Sequence, residues 1–152
     1  MNGLPKIKTF HDINQLITLL SKNGMEGFRP WRYDGYKWIT FSDYKNLSDG
    51  TGTYAPANNL AYYISSDDVK FAQEVKLVLN INNREELQGA KDNFVRIALK
   101  TFGVLELNPP NNLLASVNFE DEFEYDEDEA YFSALKILRT KVFSWSLVIR
   151  SK

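Results

Sequence analysis

Cysteine is absent from the 152 residues, so no disulfide, thiolate nucleophile or Cys-ligated metal can be built from this chain. Histidine occurs once, at His11, and any Ser-His-Asp or Cys-His relay would have to pass through it. His11 falls at the start of the first expected helix, where a surface role is the ordinary one. No glycine lies between residues 104 and 152, which removes the sharp central turn of a calcium loop from that stretch. The HExxH, GxGxxG and Walker patterns are missing as well, so zinc proteases, dinucleotide enzymes and P-loop NTPases have no signature here. No apolar run approaches the roughly 18 residues of a membrane span. His11, Asp12, Asn14 and Gln15 interrupt the first apolar stretch, which leaves no signal-peptide core. A soluble, cytoplasmic, single-domain protein over 1–152, with no cofactor and no bound metal, is expected.

Acidic residues, by contrast, are crowded into one place. Residues 119–132 read FEDEFEYDEDEAYF and hold eight carboxylates and five aromatic rings. The formal charge of −2 therefore conceals a body with eighteen basic and twelve acidic side chains, joined to one strongly negative segment.

Hydrophobic spacing gives the elements around it. Thr9 and Asp12 fit a capping box, and Ile13, Leu16, Ile17 and Leu20 then form one helical stripe that ends at Asn23-Gly24. Arg29–Phe41 reads as a hairpin about Asp34-Gly35, which would pair Tyr33 with Tyr36 and Trp31 with Trp38 on one face. Residues 42–59 are rich in turn formers and read as a long loop, followed by a short strand over 60–64. Val75, Leu77, Leu79 and Ile81 alternate with polar or smaller residues, the clearest strand in the chain. Asn83 can cap a central helix over 83–102, and Pro109-Pro110 a short one through Leu113 and Val117. Phe143, Trp145, Leu147 and Ile149 alternate as a last strand. Residues 131–141 fit either periodicity, and a strand closing on 142–150 is the economical choice. The outcome is an α+β domain with an antiparallel sheet of about five to seven strands, packed against an N-terminal and a central helix. In element order alone it resembles the secretion-chaperone fold, in which helices cover one side of such a sheet.

Four readings of the acidic segment compete. A calcium site lacks its glycine, and a catalytic carboxylate pair would need two unlike environments across a cleft. A solvated hairpin would turn Phe123 and Tyr125 inward and Glu122, Glu124 and Asp126 outward. A protein-binding surface would use the same rings for contact area and the carboxylates for steering toward a basic partner. Asp49-Gly-Thr-Gly-Thr53 resembles the aspartate signature of haloacid dehalogenase and P-type ATPase phosphoryl-transfer enzymes. In those families the aspartate ends a buried apolar strand. Tyr44–Asp49 is not one, so a glycine turn is the simpler reading. Trp31, Tyr33, Tyr36 and Trp38, with Arg29, Arg32 and Lys37 nearby, have the makings of a base-stacking platform. Asp34, Asp43 and the net negative charge oppose phosphate, so no nucleic-acid or membrane partner is expected.

The composition thus points to a non-enzymatic protein-binding domain, built like the small immunity proteins, secretion chaperones or adaptors in size, charge and lack of motifs. Its partner-binding residues would be Glu120, Glu122, Phe123, Glu124, Tyr125, Asp126 and Asp128, facing a basic protein. A homodimer covering the open side of the sheet is a further arrangement open to such a domain. The alternative is a small-molecule-binding protein or hydrolase with a pocket between the sheet and the central helix. Trp31, Tyr33, Tyr36, Trp38 and Trp145 would form its walls.

Overall fold

The computed structural model describes residues 3–47, 56–138 and 142–152. The Asp49–Thr53 run lies outside them. Eight strands form: β1 (Arg32–Tyr33), β2 (Trp38–Phe41), β3 (Lys45–Asn46), β4 (Asn59–Ser66), β5 (Glu74–Ile81), β6 (Phe123–Asp126), β7 (Ala130–Leu138) and β8 (Phe143–Ser151). Three α-helices accompany them: α1 (Ile13–Ser21), α2 (Leu87–Val104) and α3 (Leu113–Phe119). The domain is α+β, with a wholly antiparallel sheet in the order β1-β2-β4-β5-β8-β7-β6, and β3 adds to β4 beside β2.

The alternation of β5 decides the rest. Val75, Leu77, Leu79 and Ile81 point to one side and register against Ile149, Leu147, Trp145 and Phe143 of β8. Leu60, Tyr62 and Ile64 of β4 and Phe132 and Ala134 of β7 extend that face sideways. Leu16 and Leu20 of α1 and Phe94, Ile97, Ala98 and Phe102 of α2 join the same core, all fully buried. Each such Leu, Ile or Phe contributes about 1.5–3 kcal/mol by leaving water. Tyr62 carries a polar group into the centre of this layer, where Trp145 Nε1 is also buried, without a partner among the described residues. Its hydroxyl lies 2.6 Å from Thr101 Oγ1 on α2 and accepts from Asn23 Nδ2 at 3.0 Å, just past α1. One hydrogen-bonded ring thus joins both helices to the sheet.

Residues of the other parity form a face that the helices leave open: Phe41, Ala61, Tyr63, Lys76, Val78, Ser133, Leu135, Ser146 and Val148 among them.

Local chemistry moved several boundaries. The N-cap of α1 is Asp12, whose Oδ1 accepts from the Gln15 N–H at 3.1 Å. Residues Lys8–His11 form a 3-10 turn before it, and the Thr9 hydroxyl is buried without a partner among the described residues. The β1–β2 hairpin is shifted by two residues from the expected register: Tyr33 pairs with Trp38, not with Tyr36, and Arg32 with Ile39. Asp34 is the cause, because its Oδ1 accepts from both the Tyr36 and Lys37 N–H groups at 2.8 and 2.9 Å. That Asx turn places Gly35 at φ 104° and moves the turn centre one residue on. Asn83 does cap a helix start, accepting from the Glu85 N–H at 3.0 Å. Residues Arg84–Glu86 are 3-10 before α2 begins. Residues 130–138 are strand.

The acidic hairpin as candidate functional site

The chain enters the acidic segment through a left-handed residue. Glu120 caps α3 at φ 57°, ψ 37°, which ends the helix and turns the chain toward β6. Its carboxylate is not displayed. It pairs with Lys136 Nζ at 2.5 Å and Lys91 Nζ at 3.4 Å, and Lys91 is itself buried and also donates to the Asn118 carbonyl at 3.1 Å. The Lys136 hydrogen bond, foremost, holds the Glu120 carboxyl below the usual carboxylate value.

Beyond it the strand alternates as its sequence dictates. Phe123 registers against Ala134 and Tyr125 against Phe132, so both rings face inward and pack on the core. Their centroids lie 5.4 Å apart, and the Tyr125 hydroxyl donates to Asn112 Oδ1 at 2.7 Å. Glu122, Glu124 and Asp126 take the other parity and are exposed. Glu122 Oε2 accepts from the Lys136 backbone N–H at 3.3 Å. The Tyr131 hydroxyl bonds to Glu124, which pushes the phenol pKa up. Asp126 pairs with Lys152. The turn closes through Glu127 N–H to the Ala130 carbonyl at 2.9 Å, and leaves Asp128 and Glu129 at the tip. Lys6 and Lys152 hold that tip by its backbone carbonyls, at 3.4 Å to Asp128 and 3.0 Å to Glu129.

Three kinds of role therefore appear within one run. Glu120, Phe123 and Tyr125 have structural partners; Glu122, Glu124 and Asp126 stand on the open side with light internal contacts. The side chains of Asp121, Glu127, Asp128 and Glu129 make no hydrogen bond or ion pair with any described residue. Glu127 and Glu129 belong to the displayed group by position, since the tip exposes every side chain whatever its parity. A cleft of about 600 Å³ runs beside the hairpin, between it and the Glu106–Asn112 loop, with Tyr125, Pro110 and Phe132 at its floor and Glu127 and Asp128 at its rim. Among the described residues no three His, Cys, Asp or Glu side chains gather closely enough to hold a metal ion.

The aromatic residues named for a second site do not converge. Trp145 is buried in the core on β8. Trp38, on β2, is three strand spacings away, about 14 Å at the usual strand separation. Trp31 stacks on Trp38 at 6.4 Å and donates from Nε1 to the Val69 carbonyl at 3.0 Å. Tyr33 tilts against Trp38 at 5.9 Å, and Tyr36 stands 88% exposed in the turn. The expected space between sheet and α2 is filled by Phe94, Ile97, Leu79 and Trp145 themselves.

No family model matches the chain, and neither a curated protein nor a solved structure does. No helix among the described residues is long and apolar enough to cross a membrane.

Proposed function

We propose that this is a non-enzymatic protein-binding domain, working in the manner of an immunity protein, secretion chaperone or adaptor, whose acidic hairpin engages a protein partner with a basic surface. One observation carries the reading: seven of the eight carboxylates in 119–132 are exposed, on a hairpin whose Phe123 and Tyr125 are turned inward. The rings stiffen the hairpin from beneath, and the carboxylates above them are left mostly uncompensated. Fixed charge of one sign on a rigid support accelerates encounter with an oppositely charged surface and disfavours acidic partners. None of the eighteen basic residues lies within this segment, and Lys6, Lys91, Lys136 and Lys152 are the described ones whose side chains bond to it, four cations against eight carboxylates.

The test uses the tip, whose side chains have no internal work. Glu127→Lys, Asp128→Lys and Glu129→Lys together are expected to leave the circular dichroism spectrum and melting temperature unchanged. Retention of cationic proteins from a cell lysate on the immobilised chain at about 0.1 M salt should fall at least about ten-fold. Equal retention by the triple variant refutes the reading.

A further inference from the structure

We infer that the open face of the sheet is the contact surface of a two-fold homodimer of this chain. The inference rests on the face itself and not on the hairpin tip, which stays outside the contact. Its centre is built from small side chains that are already buried, Ala61 at 1%, Ser146 at 6% and Ser133 at 7% exposure, beside large apolar ones that are not, Leu135 at 41% and Ile137 at 52%. Such a surface is flat enough at the backbone for a second sheet to approach to the usual ~10 Å of face-to-face packing. Seven strands across and about eight residues along give a face of about 29 Å by about 26 Å. That is roughly 700 Å² per copy once the shorter edge strands are allowed for, close to the ~800 Å² that each partner contributes to a standard stable interface.

The occupant is fixed by charge and size. The acidic edge of the face is β6, with Glu122, Glu124 and Asp126; the opposite edge carries Arg32 on β1 and Arg29, whose guanidinium lies 5.1 Å over the Phe41 ring. An axis perpendicular to the strands would set β6 of one copy on β6 of the other, acid against acid. An axis parallel to the strands, passing between β5 and β8, instead lays β5 on β8, β4 on β7 and β2 on β6 of the second copy, level for level. Glu74 and Arg150, which pair at 2.8 Å within each chain, then meet the same pair of the second copy with charges alternating. Arg29, held at 2.6 Å by Asp43 of its own chain, comes to lie over Glu124. Tyr63 falls on Ser133, Leu135 on Ala61 and Val78 on Ser146, so at each of these positions a large side chain opposes a small one. Lys76 falls on Val148, which its four-carbon stem can cover. The face is thus complementary to itself under one operation, as an isologous contact requires.

Sedimentation equilibrium of the full chain should give twice its 17.5 kDa at about 100 μM. Leu135→Lys with Val148→Lys, both on the open face, should give the single-chain mass with an unchanged circular dichroism spectrum and a melting temperature that no longer depends on protein concentration. Because the native chain has no cysteine, Ala61→Cys with Leu135→Cys supplies a direct distance test. Within one chain β4 and β7 are three strand spacings apart, about 14 Å, and a link closed inside one chain would leave the single-chain mass. Across the proposed contact the two positions face each other at the ~10 Å sheet spacing, beyond the reach of a direct disulfide, and a short bis-maleimide should give a covalent dimer on a denaturing gel. A wild-type chain that stays single at this concentration overturns the proposal, whether or not it captures a different protein through this face. So does a dimer unaffected by the two lysines, or the absence of the cross-link.

Discussion

Glu120→Gln should destabilise the fold without touching partner capture, the reverse of what the tip residues should do. The carboxylate neutralises Lys91, whose side chain is only 6% exposed, while the Glu120 side chain is 28% exposed. Removing one partner of a fully buried pair costs about 3–5 kcal/mol. Here solvent reaches part of Glu120, and Lys91 keeps the Asn118 carbonyl, so about 2 kcal/mol is the expected loss. For a chain of this size that lowers the melting temperature by about 4–8 °C. The pH dependence has a definite sign. The folded carboxyl titrates below its ordinary value of 4.5, so its stabilisation is complete above that value and fades as pH falls through the folded pKa. The gap between wild type and Glu120→Gln should therefore be widest at neutral pH and narrow in acid. Adding Lys91→Met should recover much of the loss, since the stranded ammonium is then gone. Melting curves at several pH values measure all three chains. A Glu120→Gln chain within about 1 °C of wild type at neutral pH, or a gap that does not shrink in acid, refutes the assignment.

Two further outcomes check other parts of the fold. Tyr62→Phe takes the acceptor from Asn23 Nδ2 in the core, while Thr101 keeps the Ile97 carbonyl at 2.7 Å, and should cost about 1–3 kcal/mol, read by urea denaturation; a neutral substitution would mean that the hydroxyl bridges nothing. Asp34, whose carboxylate accepts first from Lys37 and then from Tyr36 backbone N–H, should titrate below 3.8 by NMR, with the Tyr36 and Lys37 amide shifts moving together as the pH falls through its midpoint; a midpoint at or above 3.8 removes the Asx turn.

The readable parts of the sequence were those in which one periodicity runs without interruption. Val75–Ile81 and Phe143–Ile149 alternate cleanly, and they are the two strands at the centre of the sheet, each flanked by neighbours on both sides. Parity in the acidic run was legible for the same reason: Phe123 and Tyr125 turn inward as the solvated-hairpin reading expects, whereas the binding-surface reading offered both rings for contact. Side chains that bond their own backbone were not legible from pattern. Asp34 moved the hairpin register by two residues, and Asp12 took the cap from Thr9. The role of Glu120 was hidden differently: nothing local marks it, because its partners come from α2 and β7, 29 and 16 residues away. The tryptophans misled because composition counts rings and does not place them; Trp38 and Trp145 share a face of the sheet but not a neighbourhood.

The pairing of β5 with β8 has a consequence for how the chain is made. Strands β1 to β5 can assemble as soon as residue 81 is available, but β5 then presents a bare row of amides and carbonyls on one side. Its mate is some seventy residues downstream, and the long helix α2 and the short helix α3 are synthesised before it. During that interval the half-built sheet has an open seam along β5. Translation must run to the far end of β8 before the seam is sealed, so folding of this chain is a late, concerted closure and not a steady accretion.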